Sequence, residues 1–291
     1  PLKHLGKKEL ELKQIDHDPE DIQEIVQRGF SQSKSDNFSA LTSFLNNNIN
    51  FITDRGSAET QLYTLDGGWY KLPTANDQSM FFNYYESCRI DSCILRFAER
   101  QDVHASAIYV DLDMLQSSPK RIWTDGDLDA LAKMAVEILG TMYDLGKSFA
   151  DKEIPFYVAF QVKPDVIEKD DKKYNAFKTH DVTRIYGDGI HMFVLSTLIS
   201  RPAKRYFIDK LRDKVAVHFG DRYLNSNVMV DTHCICVPVF LLGSNRGGKL
   251  PYLHHSIWEV KIEHNATTFH TVKHEKFFTR AAKSYGHEIN R

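Results

Sequence analysis

The segment Ile108–Met114 places the tightest constraint on what this chain can fold into. Ile108, Val110, Leu112 and Met114 alternate with Tyr109, Asp111 and Asp113. A period of two is that of a β-strand. The apolar set then packs on a core, and the other face presents two carboxylates about 7 Å apart along the strand. Carboxylates so close repel each other and cost stability unless a cation lies between them. Oxygen-only ligands of this kind suit Mg²⁺ or Mn²⁺, the ions of two-metal phosphoryl-transfer sites. A bare alternation like this also describes a solvated strand end with a DxD turn, so its meaning depends on the rest of the chain.

With 291 residues the chain makes one large domain or two small ones, enough to bury a substantial core. A hydrophobic content of 42% and a charged content of 26% read as an ordinary soluble globular protein. No apolar run approaches the roughly 18 residues that span a bilayer, and no signal peptide or membrane partner is expected. The first residue, Pro1, suggests a processed chain or a piece of a longer one. A net charge of −2 excludes a protein that binds nucleic acid by bulk charge. A local basic groove remains compatible with it, because catalytic carboxylates offset such a groove. Cys88, Cys93, Cys234 and Cys236 form no CxxC pair and read as reduced, buried thiols of an intracellular protein. His233, His254 and His255 lie near the last two in sequence, but zinc is not expected.

The N-terminal 35 residues are polar, with a helix start at Asp18-Pro19-Glu20-Asp21. Helical spacing recurs over 36–52 and 77–88, and Asp66-Gly67-Gly68 joins two short strands into a hairpin. Residues 93–100 are strand-like. Thr124 and Asp127 read as a capping box for a helix with an apolar stripe from Leu128 to Met142. A strand over 155–162 leads into an exposed, charged loop to residue 181. Tyr186–Leu195 is a turn feeding a strand, in which Gly189, His191 and Phe193 share a face. Gly189 there leaves open space that a triphosphate would use. A helix from Pro202 buries Ile208, Leu211, Val215 and Phe219 and exposes Lys204, Arg205, Lys210, Arg212 and Lys214. That face suits either a nucleic-acid backbone or plain solvent. Asn227–Asp231 reads as an apolar strand ending in an acid. After it, Gly243-Ser244-Asn245-Arg246-Gly247-Gly248-Lys249 is a loop able to lay N–H groups and two cations against phosphates. A strand over 256–262 and a basic, aromatic helix-like tail (Lys273 to Lys283) close the chain.

Three of these elements, in this order, resemble the archaeo-eukaryotic primase superfamily. They are Val110-Asp111-Leu112-Asp113, Asp188-Gly189-Ile190-His191, and Val230-Asp231 with Leu242-Gly243-Ser244 and Lys249. The nearest likeness is to the primase domains of primase-helicases from nucleocytoplasmic large DNA viruses, over roughly residues 90–255. Where that family has an arginine before the Gly-Ser step, this chain has Leu241-Leu242, and Arg246 follows instead.

The resemblance implies an α+β fold: an RRM-like palm core of antiparallel or mixed sheet flanked by helices, with an adjoining α/β lobe. Residues 1–75 would be a mostly helical N-terminal segment with a hairpin, and residues 76–291 the catalytic domain. It further implies a DNA primase or primase-polymerase using NTP or dNTP on single-stranded DNA. Asp111, Asp113 and Asp231 would hold two Mg²⁺ or Mn²⁺ ions. Gly189, His191, Ser244, Arg246 and Lys249 would bind the nucleotide. The parent chain would carry a C-terminal helicase, since no Walker A motif is present here. The setting would be an infected host cell, in a cytoplasmic viral factory or the nucleus. Competing readings are an untemplated palm-type nucleotidyltransferase, a non-catalytic nucleic-acid-binding replisome domain, and a metal-dependent nuclease.

Overall fold

A computed structural model describes residues 36–47, 50–52, 61–64, 68–90, 95–102, 104–151, 156–241, 244, 251–262 and 270–274. The helix expected within residues 1–35 lies outside them, as do Gly243 and residues 245–250 of the glycine-rich loop. The chain forms two compact units, Pro1–Phe97 with Gly243–Leu250, and Ala98–Leu242 with Pro251–Arg291.

The first unit contains helices α1 (Asp36–Leu45) and α2 (Ala75–Ile90) and the hairpin of β1 (Leu62–Thr64) and β2 (Trp69–Tyr70). Thr74 and Asp77 cap α2 reciprocally: each side chain accepts the other's backbone N–H at 3.1 Å. One face of α2 buries Phe81 and Tyr85, whose rings meet Phe97 edge to face at 5.6 and 5.8 Å. The hairpin expected from the sequence is present, with Leu62 paired with Tyr70 and Tyr63 with Trp69.

The second unit contains β4 (Ser106–Gln116), β5 (Phe156–Val162), β6 (Ile167–Glu168), β7 (Tyr186–Ile199), β9 (Leu253–Lys261) and β10 (His270–His274). A short β3 (Phe97–Glu99) pairs through Ala98 and Glu99 with β8 (Val239–Phe240). Among the described residues the main sheet has six strands in the order β10-β9-β5-β7-β4, with β6 alongside β7. All its pairings are antiparallel. Helices α3 (Asp125–Met142) and α4 (Arg201–Phe219) supply the other layer of its core. Alternate residues of β4 (Val110, Leu112), β5 (Phe156, Val158, Phe160) and β7 (Ile190, Met192) share that core with Leu128, Leu131, Leu139, Phe207, Leu211 and Val215. The expected α+β architecture, an antiparallel sheet flanked by helices, is therefore present.

The side chains of Tyr109, Asp111, His191, Gln161 and Lys163 occupy the opposite face by the same alternation, and Gly189 faces the same way. Strand β9 carries one extra residue against β5: Phe160 pairs with Ser256 but Gln161 pairs with His254. This bulge at His255 changes which sequence parity faces the helices.

Three sequence expectations change. Asn227–Asp231 is a 3-10 turn (Ser226–Val228) followed by a single antiparallel bridge from Val230 to Leu112, since the chain meets β4 for too short a span to form a full strand. Lys273 lies in β10 instead of a helix, paired with Trp258, and the tail beyond it is outside the described residues. Lys204 does not join the exposed face of α4. It is 2% exposed, and its ammonium donates to Gln101 Oε1 at 2.6 Å and to the Ser106 hydroxyl. Gln101 in turn donates to the carbonyls of Cys234 and Val237 at 2.7 and 2.6 Å. Helical spacing could not reveal this, because the acceptors come from a distant part of the chain.

Burial lowers the Lys204 ammonium from 10.5 to about 8, against the opposing pull of Glu99. Above pH 8 the native state has released a proton that the unfolded chain keeps until pH 10.5, so this group's contribution to stability rises across that window. In urea unfolding, wild type is expected to gain about 2 kcal/mol relative to Lys204→Met between pH 7 and pH 9.5. A constant difference between the two proteins would show that Lys204 does not titrate there.

Candidate active site

One row of the sheet's open face runs Asp111, His191, Gln161, His254 across β4, β7, β5 and β9. The next row begins Asp113, Gly189, where Lys163 N–H donates to the Gly189 carbonyl at 3.1 Å. Asp231 enters from the other edge of β4. Its N–H donates to the Asp111 carbonyl at 2.9 Å, and Asp113 N–H donates to the Met229 carbonyl at 2.9 Å. Asp111, Asp113 and Asp231 thus stand on neighbouring backbone positions, with His191 directly opposite Asp111.

Each of these acids has a present partner. Asp111 Oδ1 lies 3.6 Å from His191 Nε2. Asp113, 63% exposed, pairs with the Lys163 ammonium at 3.1 Å. Asp231 Oδ1 accepts from the His233 backbone N–H at 2.8 Å and meets His233 Nδ1 at 2.9 Å, which caps the turn Thr232–Ile235. Among the described residues no three His, Cys, Asp or Glu side chains converge on one ion-sized point. The donor set is nevertheless the hard, all-oxygen kind that Mg²⁺ and Mn²⁺ prefer, and two of its members are turned toward cationic or imidazole neighbours. In donor chemistry these residues suit such ions.

Tyr252 lies flat on His191, with ring centroids 3.5 Å apart and planes within 9°. Tyr109 meets the same imidazole edge on at 5.2 Å. Burial, then the nearby Asp111 carboxylate, pushes the Tyr109 phenol well above its ordinary value, so it stays neutral beneath the site. The space over Gly189 is taken up: an added Cβ would sit 2.6 Å from the Tyr252 hydroxyl and 2.8 Å from Lys163 Nζ. Glycine here admits two neighbouring side chains.

Asp188 of the same motif turns inward and is completely buried. Its carboxylate accepts from Arg121 Nε and Nη2 at 2.9 and 3.0 Å, from Trp123 Nε1 at 2.9 Å and from Gly189 N–H at 2.8 Å. Arg121 also donates to the Lys163 carbonyl. Asp188 therefore anchors the strand ends that carry Gly189 and Lys163.

Ser244 belongs to the first unit, where its hydroxyl bonds Tyr85 at 2.9 Å and accepts the Phe97 N–H at 3.0 Å. Arg246 and Lys249 lie outside the described residues. The sequence reading missed Lys163, Tyr252, Gln161 and Arg121. Lys163 was accessible to it, since it continues the alternation Tyr157, Ala159, Gln161 past the end of β5. Tyr252 carried no such signal.

An antiparallel sheet backed by helices, with acids and a histidine on its open face, is the architecture expected of a primase-type nucleotidyltransferase. Comparison with known protein families matches residues 60–258 to the C962R protein N-terminal AEP domain. The chain belongs to this family and is an archaeo-eukaryotic primase domain of the viral primase-helicase type. Comparison with curated proteins finds no match. Family membership puts the chain among the primase and nucleotidyltransferase domains of DNA replication.

Removing the Asp188 charge leaves the buried side of Arg121 without its partner. Asp188→Asn is expected to cost about 2–3 kcal/mol in urea unfolding, at the low end for a broken buried pair because Arg121 is partly exposed. A change below about 0.5 kcal/mol, the size typical of surface substitutions, would contradict the anchoring role.

Proposed function

We propose that this chain is the catalytic domain of a DNA primase that builds short primers on single-stranded DNA from NTP or dNTP. The observation that carries the reading is the gathering of Asp111, Asp113 and Asp231 on adjacent backbone positions, with His191 opposite Asp111. In the reaction, a 3′-hydroxyl attacks the α-phosphate of the incoming nucleotide and pyrophosphate leaves. Asp111, Asp113 and Asp231 would hold Mg²⁺ or Mn²⁺, which would supply activation of the hydroxyl and neutralisation of the leaving oxygen.

The chain's own residues orient the reactants. His191 donates to the triphosphate, and the Tyr252 ring fixes the plane from which it does so. Gln161, beside His191 on β5, offers a further amide to the same face. Ser244, Arg246 and Lys249 remain part of the proposal as a nucleotide-binding segment. The Ser244 hydroxyl would serve it by fixing the chain through Tyr85 and Phe97. The matched family is the N-terminal domain of the C962R protein. By that likeness the parent chain would continue into a helicase and act in an infected host cell.

The test is synthesis on single-stranded DNA with Mg²⁺ or Mn²⁺ and labelled NTPs or dNTPs, beside an Asp111→Ala/Asp113→Ala protein. The expected result is short template-dependent products, reduced at least about a hundredfold in the double variant. Both substituted side chains lie on the open face, so the variant should unfold at close to the wild-type temperature. Products formed without template would replace this reading with the untemplated nucleotidyltransferase. Equal synthesis by both proteins would remove these carboxylates from the reaction.

A further inference from the structure

We propose that Lys163 is the built-in counter-ion of Asp113, displaced when a divalent cation binds and then used to contact the nucleotide's triphosphate. The inference rests on the reading of Asp113 as a cation ligand. It starts from how firmly the lysine is rooted. Its N–H donates to the Gly189 carbonyl at 3.1 Å, and its carbonyl accepts from Arg121, which the buried Asp188 holds. The backbone is thus fixed from two sides, and only the side chain has freedom to move.

That side chain is led to one place. It crosses Gly189, where a Cβ would come within 2.8 Å of its nitrogen, and passes 5.7 Å from the Tyr252 ring centre. The ammonium ends 3.1 Å from Asp113 Oδ1 and 3.1 Å from the Asp188 carbonyl. Lys163 is only 20% exposed, whereas Asp113 is 63% exposed. The pair is therefore open on its acid side, where solvent screens the attraction and a divalent ion competes effectively with a single ammonium. Without a cation, Lys163 offsets the repulsion among the clustered carboxylates. Once displaced, its flexible four-carbon stem keeps the charge on the face that carries His191. Lysine binds phosphate as a point charge and needs no fixed bidentate geometry to do so.

The experiment is calorimetric titration of the whole chain with Mn²⁺, without DNA, for wild type, Lys163→Met, Asp113→Asn and the double variant. A second titration adds a non-hydrolysable nucleoside triphosphate in the presence of Mn²⁺. Lys163→Met is expected to bind Mn²⁺ about fivefold more tightly, and the Mn²⁺-dependent triphosphate about tenfold more weakly. In the Asp113→Asn background the gain in Mn²⁺ affinity should disappear. Unchanged or weaker Mn²⁺ binding by Lys163→Met overturns the proposal. So does an equal gain in the Asp113→Asn background, which would make Lys163 a bulk charge only. Unchanged triphosphate affinity overturns the second role. A wild type that binds no Mn²⁺ overturns the carboxylate reading itself. Mn²⁺ binding that depends on Asp113 but ignores Lys163 leaves that reading standing and defeats only this inference.

Discussion

The buried carboxylate of Asp188 is the interaction on which the site's geometry depends. It is fully enclosed and receives four hydrogen bonds, two of them from one guanidinium. An unpaired carboxylate at that depth would be strongly unfavourable, so Arg121 and Trp123 must come to it. Both lie just before α3, and drawing them in ties the start of that helix to the end of the strand carrying Gly189 and His191. Arg121 then reaches the carbonyl of Lys163, just past the end of the neighbouring strand β5. A charge on the core side of the sheet thereby organises groups that project from the other side.

The core made the strands legible. The alternation in Ile108–Met114 identified β4 and its open-face acids correctly, because one side of that strand is wholly buried. The acid of the capping box was also readable: Asp127 accepts the Thr124 N–H at 2.8 Å. Burial alone would raise that carboxyl, but hydrogen bonds from Arg222, the Thr124 N–H and His218 hold it at about 2. The family likeness, read from three short motifs, agrees with the match over residues 60–258.

What was not legible came from contacts between distant segments. Lys204 occupies a basic stripe in sequence, yet its acceptors lie on the chain around Gln101 and Ser106. Asp231 reaches β4 through a single bridge, too brief to leave a periodic pattern. Tyr252 is the clearest case. By simple alternation Tyr252, His254, Ser256 and Trp258 belong to one face. The extra residue at His255 sends Ser256 and Trp258 toward the core and leaves His254 beside Gln161. Periodicity cannot detect a phase change that exists only in the pairing with β5.

The backbone bond from Asp231 to Asp111 has a consequence for how the domain comes into being. Strands β4, β5 and β7 can pair as soon as the chain through Ile199 is available, but the third carboxylate arrives only after α4 and the turns beyond it. Tyr252 arrives later still, just ahead of β9, the strand that adds to the edge of β5. During synthesis, a nascent chain that already has most of its sheet therefore has an incomplete set of acids and an uncovered His191. The third acid joins through a contact that spans more of the chain than the Asp111–His191 pairing does, the kind that carries the larger loop-closure cost.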